Sequence, residues 1–140
     1  MGFVADDVMN ALLDAFLGSG HISPMPAILD IALSSTQPAD DGTNVTEPTD
    51  PSYGPAVVNN DTTNWPAASA RTKSNANAIV FPTPTGTWGT VSWFALYDNG
   101  SAHSTSTFRG WGQLNAPRTI TALSGAPTFG VGTLVVNGPG

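Results

Sequence analysis

Residues 79–114, IVFPTPTGTWGTVSWFALYDNGSAHSTSTFRGWGQL, constrain the fold more than any other part of this chain. Within them VSWFALY, residues 91–97, is aromatic and β-branched, the composition of a half-buried pleated surface. Asp98, Asn99 and Gly100 follow, residue types that tolerate positive φ and close a turn. The tryptophans stand beside glycines: Trp88 precedes Gly89, and Trp111 lies between Gly110 and Gly112. Glycine has no Cβ, so a bulky ring or a neighbouring backbone can lie against the chain there. The segment reads as three strands separated by turns, with no catalytic set inside it. It is scaffold.

The same alternation of short apolar runs and Gly/Pro/Asn turns predicts further strands. Residues 27–33, 53–58, 78–81, 91–97, 107–114, 118–122 and 133–137 make about seven. They describe a mainly β chain, a small antiparallel β-sandwich. Periodicity alone also allows a helix over 27–33. Phe81, Val91, Phe94, Leu96, Ile120, Leu134 and Val136 are the expected core. Ahead of the strands, FVADDVMNALLDAFLGSG predicts one N-terminal α-helix. Val4, Val8, Leu12 and Phe16 recur every four residues, and Gly18 and Gly20 follow as stops. Asp6 and Asp7 suit the positive end of its dipole. With Leu13 included, the apolar arc exceeds the ~100° stripe of an ordinary surface helix. Val4, Val8, Leu12, Leu13 and Phe16 are therefore an expected assembly interface. The expected organisation is a helix over 1–20, a linker over 21–26 around Ser23-Pro24-Met25-Pro26, and a sandwich domain over 27–140.

A chain of 140 residues suits one domain, and at that size about 68–70% of the unfolded surface can be buried. There is no cysteine, so neither disulfides nor thiolate chemistry are available. Charged residues are 10% of the chain, against roughly 25% in an average soluble protein. Residues 1–70 hold nine acids and no Lys or Arg, while 71–140 hold four cations and Asp98, so the halves carry −9 and +3. An acidic chain with four scattered cations lacks the basic surface that nucleic acid requires. Residues 1–20 begin with acids instead of a basic n-region, so no signal peptide is expected. No run approaches the ~18 apolar residues of a membrane span. The sequons at Asn44, Asn60 and Asn99 then read as turn and loop asparagines.

No reactive constellation emerges. His21 and His103 have no ligand partner at metal spacing and are expected in exposed loops. Asp40-Asp41-Gly42-Thr43-Asn44 lacks the alternating acids of a calcium loop and reads as an Asx turn. Only Asp98 lies in the motif-rich half, where a glycosidase would need two carboxylates. There is no GxSxG elbow, and GTWGT and RGWGQ do not open a helix as phosphate loops do. No catalytic residue, metal or cofactor is expected, and no enzyme. Trp88, Trp93 and Trp111 are expected in the core or its rim with their indole N–H groups on backbone carbonyls. The alternative is a sugar-stacking platform, for which Trp65 and Trp111 are the candidates.

An ordered set of short motifs resembles a family of small tailed-bacteriophage virion proteins, described variously as capsid decoration or tail-fibre-like proteins. The set is Phe81-Pro82, Gly86, Trp88-Gly89-Thr90-Val91, Phe94, Tyr97-Asp98, Trp111-Gly112 and Pro117-Arg118-Thr119. Asp40-Asp41-Gly42-Thr43, Tyr53 and Val57 extend it upstream, so the likeness covers roughly residues 27–137. Residues 99–107 form a longer polar insert than the compact glycine turn of that pattern. The resemblance implies a virion structural role. Capsid decoration is the favoured expectation: copies, as trimers, bind the major capsid protein on the outer surface of the phage head and reinforce the shell. The alternative is a tail-tip or tail-fibre-associated module that contacts the host surface through glycans.

Overall fold

The computed structural model describes residues 2–17, 25–100 and 102–137, without the side chains of residues 2, 3 and 14–16. The described chain runs β1 (Gly2–Val4), α1 (Asp6–Leu17), β2 (Ile28–Ser34), β3 (Ala56–Asn59), β4 (Thr72–Ser74) and β5 (Ile79–Val80). It continues with β6 (Gly89–Asp98), β7 (Phe108–Ile120), β8 (Thr128–Phe129) and β9 (Val135–Asn137). A seven-stranded sheet has the order β3-β2-β6-β7-β1-β9-β4, and β5 and β8 form a separate two-stranded ribbon. Every ladder is antiparallel except β1 with β9. The chain is mainly β, a small sandwich with one N-terminal helix, as its pattern of short apolar runs predicts. The 27–33 run is a strand, pairing from Leu29 opposite Asp98 to Ser34 opposite Trp93.

Alternation along β2 and β6 divides the apolar residues between two faces. Leu29, Ile31, Leu33, Phe94 and Leu96 enter the main core, where Trp65, Phe81, Trp88 and Leu134 from loops cover them. On the other face Ala32, Ala95, Tyr97, Phe108 and Trp111 form a smaller core with Ala5, against which Val8 of the helix packs. Of the expected core residues, Phe81, Val91, Phe94, Leu96, Ile120 and Leu134 are buried, and Val136 is half-buried at the margin.

The short strands β4 and β8 fall outside every expected run, and two further elements differ from the sequence expectation. Residues 2–4 do not open the helix but enter the large sheet, with Phe3 opposite Trp111 and Gly2 opposite Val136. Phe and Val are good strand formers, and the open ladders of β7 and β9 satisfy their backbone groups. The helix starts at Asp6, so the N-terminal segment is tied into the β-domain. Second, 107–114 and 118–122 are not two strands with a turn at Pro117-Arg118-Thr119; β7 runs through them. Its register shifts between Gln113 opposite Trp93 and Arg118 opposite Val91, leaving residues 114–117 against Ser92. Pro117 is tolerated in that irregularity because no ladder N–H is required of it.

One glycine marks a close approach. A Cβ on Gly86 would lie 1.9 Å from Asp50 Oδ2, so that carboxylate can sit on the chain only while residue 86 has no side chain.

Candidate functional site

The motif residues lock distant loops onto the sheet. Trp88 donates its indole N–H to Ser52 Oγ at 2.9 Å, and Ser52 donates to Asp50 Oδ1 at 2.5 Å. The Trp88 ring meets Tyr53 edge-on, with centroids 5.1 Å apart. Trp111 donates to Asp40 Oδ1 at 2.8 Å and meets Trp93 edge-on at 5.6 Å. Both indoles therefore bond side-chain oxygens, not the expected backbone carbonyls; each acid-bearing loop brings its own acceptor to the ring. Asp41 accepts Thr43 N–H at 2.9 Å and its hydroxyl at 2.7 Å, the Asx turn that the sequence predicts. These bonds favour the ionised carboxylate and hold Asp41 below its ordinary pKa, as the Ser52 bonds do for Asp50.

His103 is the principal correction. It is not an exposed loop histidine: its ring stacks on Tyr97 with centroids 4.1 Å apart and planes 3° from parallel. Its Nδ1 lies 2.5 Å from Glu47 Oε1 and its Nε2 lies 3.3 Å from Asp30 Oδ2. Asp30, 5% exposed, also accepts Asn99 Nδ2–H at 2.7 Å. Glu47 accepts the Tyr53 hydroxyl at 2.8 Å, and that oxygen accepts Leu33 N–H at 3.0 Å. The Glu47 hydrogen bond raises the His103 pKa most, and the charges of Glu47 and Asp30 add to it against burial. Burial, with the nearby Glu47 charge, raises Tyr53 well above its ordinary value and pushes Tyr97 up to about 12. With both ring nitrogens facing carboxylates and one face covered, His103 has no nitrogen left to accept a substrate proton. Protonated, it is a counter-ion that clamps the 99–107 insert to β2 and to the Glu47 loop.

Arg109, at the second register shift of the β6–β7 ladder, makes a bidentate pair with Asp98 at 2.7 and 2.6 Å. It reaches Asp7 at 3.2 Å and so fastens the first turn of α1 to the sheet. The Asp98 bonds raise the Arg109 pKa.

The expected site residues lie as follows. Val4 and Val8 are half-buried, whereas Leu12 and Leu13 are 46% and 52% exposed. The Phe16 side chain lies outside the described residues, as do His21, Gly18, Gly20, Ser23 and Pro24. Leu17, not among the expected interface residues, is 80% exposed beyond them. Trp65 and Trp111 are 6% and 8% exposed, in the main and the smaller core respectively. Neither offers the open ring face that sugar stacking needs. An acidic cleft of about 410 Å³ lies between α1 and the Asp40 loop, lined by Asp6, Asp7, Asp40 and Asp41. Among the described residues no three of His, Cys, Asp and Glu are placed to hold a metal ion. No described helix is long and apolar enough to cross a membrane.

The clamp was missed because its members are far apart in sequence. One signal was available: Asp30 stands in the apolar run AILDIAL, and a carboxylate buried on a strand requires a partner.

A family model described as "Podophage GP4 fiber I protein gp80" matches residues 4–137, nearly the whole chain. No curated protein matches the sequence.

Proposed function

Since the chain belongs to the family of podophage GP4 fiber I proteins, gp80, we propose that this virion protein is a fibre-associated module of the tail. The observation that carries this reading is the family match across the helix and the β-domain together. The protein acts by assembly and contact, without catalysis. That view is supported by how the motif side chains are used: Trp88, Trp111, Asp40, Asp50 and Ser52 are spent on one another.

Helix α1 is the assembly surface in this reading. Its first turn is held through Asp7 and Arg109, while Leu12, Leu13 and Leu17 present apolar surface away from the small core. Each such side chain contributes about 1.5–3 kcal/mol when fully buried, so a second copy of this chain covering them forms a homo-oligomer. Closed cyclic symmetry, C3 among its forms, would cover the same patch on every copy. Capsid decoration would place the same fold on the major capsid protein of the head; the family's description as a fibre protein favours the tail.

Deleting the gene tests the choice. The tail reading expects heads with unchanged resistance to heat and osmotic shock, together with reduced adsorption to cells. Fragile heads with normal adsorption would overturn it.

A further inference from the structure

The register shift in β7 opens a groove that none of the contacts above uses. Irregularities of this kind re-aim side chains beside binding sites. Here residues 114–117 leave the β6 ladder, and a concavity of about 460 Å³ lies between them, β8 and the 132–135 segment. That volume is within the ~300–1,000 Å³ of small-ligand sites. Phe129, edge-on against the buried Phe94, supplies apolar surface, while Gln113, Asn115 and Arg118 supply planar polar groups. A smaller apolar recess of about 50 Å³, reaching Phe81 and Ile120, adjoins it and shares Leu114, Arg118, Thr128 and Phe129.

The planar polar side chains of the groove are exposed and unspent. The amides of Asn44, Asn60, Asn75 and Asn77 all donate to backbone carbonyls. By contrast, the side chains of Gln113, Asn115 and Arg118 make no hydrogen bond or ion pair with another described residue. The charge is also selective. The chain has ten side-chain carboxylates and four Lys or Arg, yet the groove is lined by Arg118 and by no acid. A guanidinium fork matches a carboxylate bidentately. Side-chain amides match a ring of hydroxyl groups, and a half-buried Phe129 ring matches the C–H face of a pyranose. The Thr128 and Thr133 hydroxyls donate to the Ala126 and Gly130 carbonyls and keep lone pairs to accept from a ligand hydroxyl. The apolar recess has room for the methyl of an acetamido group.

We propose that this groove binds an acidic, N-acetylated saccharide, with Arg118 on its carboxylate and Gln113 and Asn115 on its hydroxyls. The idea rests on the tail reading only for where such a saccharide would be met; the binding itself belongs to the isolated protein.

The test is a nitrogen-15 NMR titration of the full chain with a disaccharide of glucuronic acid and N-acetylglucosamine. Parallel titrations use the same disaccharide with its carboxyl reduced to an alcohol, and acetate alone. Saturable shifts are expected at the amides of Gln113, Asn115, Thr128 and Gly132. The reduced disaccharide should bind at least about tenfold more weakly, as should the acidic one to Arg118→Gln, a difference of ~1.4 kcal/mol. The unchanged remainder of the variant's spectrum shows that it is folded. Absence of saturable shifts, shifts mapping elsewhere, or equal binding of the reduced sugar overturns the proposal. So does an Arg118→Gln variant that binds normally, or acetate reproducing the effect at equal affinity. A saturating titration from a protein found on the head would leave the groove standing and remove the tail reading instead.

Discussion

Replacing His103 with alanine isolates the half-buried clamp. The variant loses the 2.5 Å bond to Glu47 and the stacked face of Tyr97, and leaves Asp30 with Asn99 as its remaining side-chain donor. A hydrogen bond to a charged group contributes about 1.5–3 kcal/mol, and a stacked ring pair about 0.5–1.5 kcal/mol. His103 and Glu47 are 17% and 23% exposed in their side chains, so solvent screening lowers the ionic part. The expected cost is about 2–3 kcal/mol at about pH 6. The pH dependence fixes the mechanism. The folded pKa of His103 is raised, so the native state holds its proton more tightly than the unfolded chain. The resulting stability is fully present below the unfolded value of about 6.5 and is lost as pH rises through the folded value. The raised Tyr53 and Tyr97 stay neutral over that range and do not obscure it. Urea melts of wild type and His103→Ala at about pH 5.5, 7 and 9 read the difference directly. The wild type should lose stability on the alkaline side, with the gap between the two proteins narrowing there toward the contribution of the stacked ring. An equal gap between them at all three values would refute the clamp as an ionic device.

Trp88→Ala should cost about 3–5 kcal/mol, as large aromatic truncations in a packed core do, because its 5%-exposed ring also carries the bond to Ser52. A urea midpoint unchanged from wild type would contradict the role given to that motif. The double replacement Leu12→Ser and Leu13→Ser should leave monomer stability within about 1 kcal/mol, since both side chains are largely exposed. It should weaken self-association, measured by sedimentation velocity; unaltered association would remove α1 as the assembly surface.

The strands that the sequence reveals are those whose side chains alternate between two buried faces. Residues 91–97 carry that pattern, and 98–100 close the strand with Gly100 at a φ of 83°. β1 was hidden because three residues are too few to show a period, and Val4 also fits the helical spacing that begins beyond it. β7 was divided at Pro117 because proline ordinarily ends a strand; the register shift that accommodates it is a property of the β6–β7 pairing and of neither strand alone. The sequence order of the motifs carried the family likeness, but not the reason for it. Asp40 meets Trp111 across 71 positions, and Asp30 meets His103 across 73. Both contacts depend on the sheet order. The groove beside Arg118 was equally hidden, because it exists only where β7 leaves its ladder.

Antibody fragments raised against the folded protein, imaged by electron microscopy on intact virions, test the central assignment most directly. The account predicts label at the tail, with shells unlabelled. Label distributed over the head surface would contradict it and place the protein among capsid decorations.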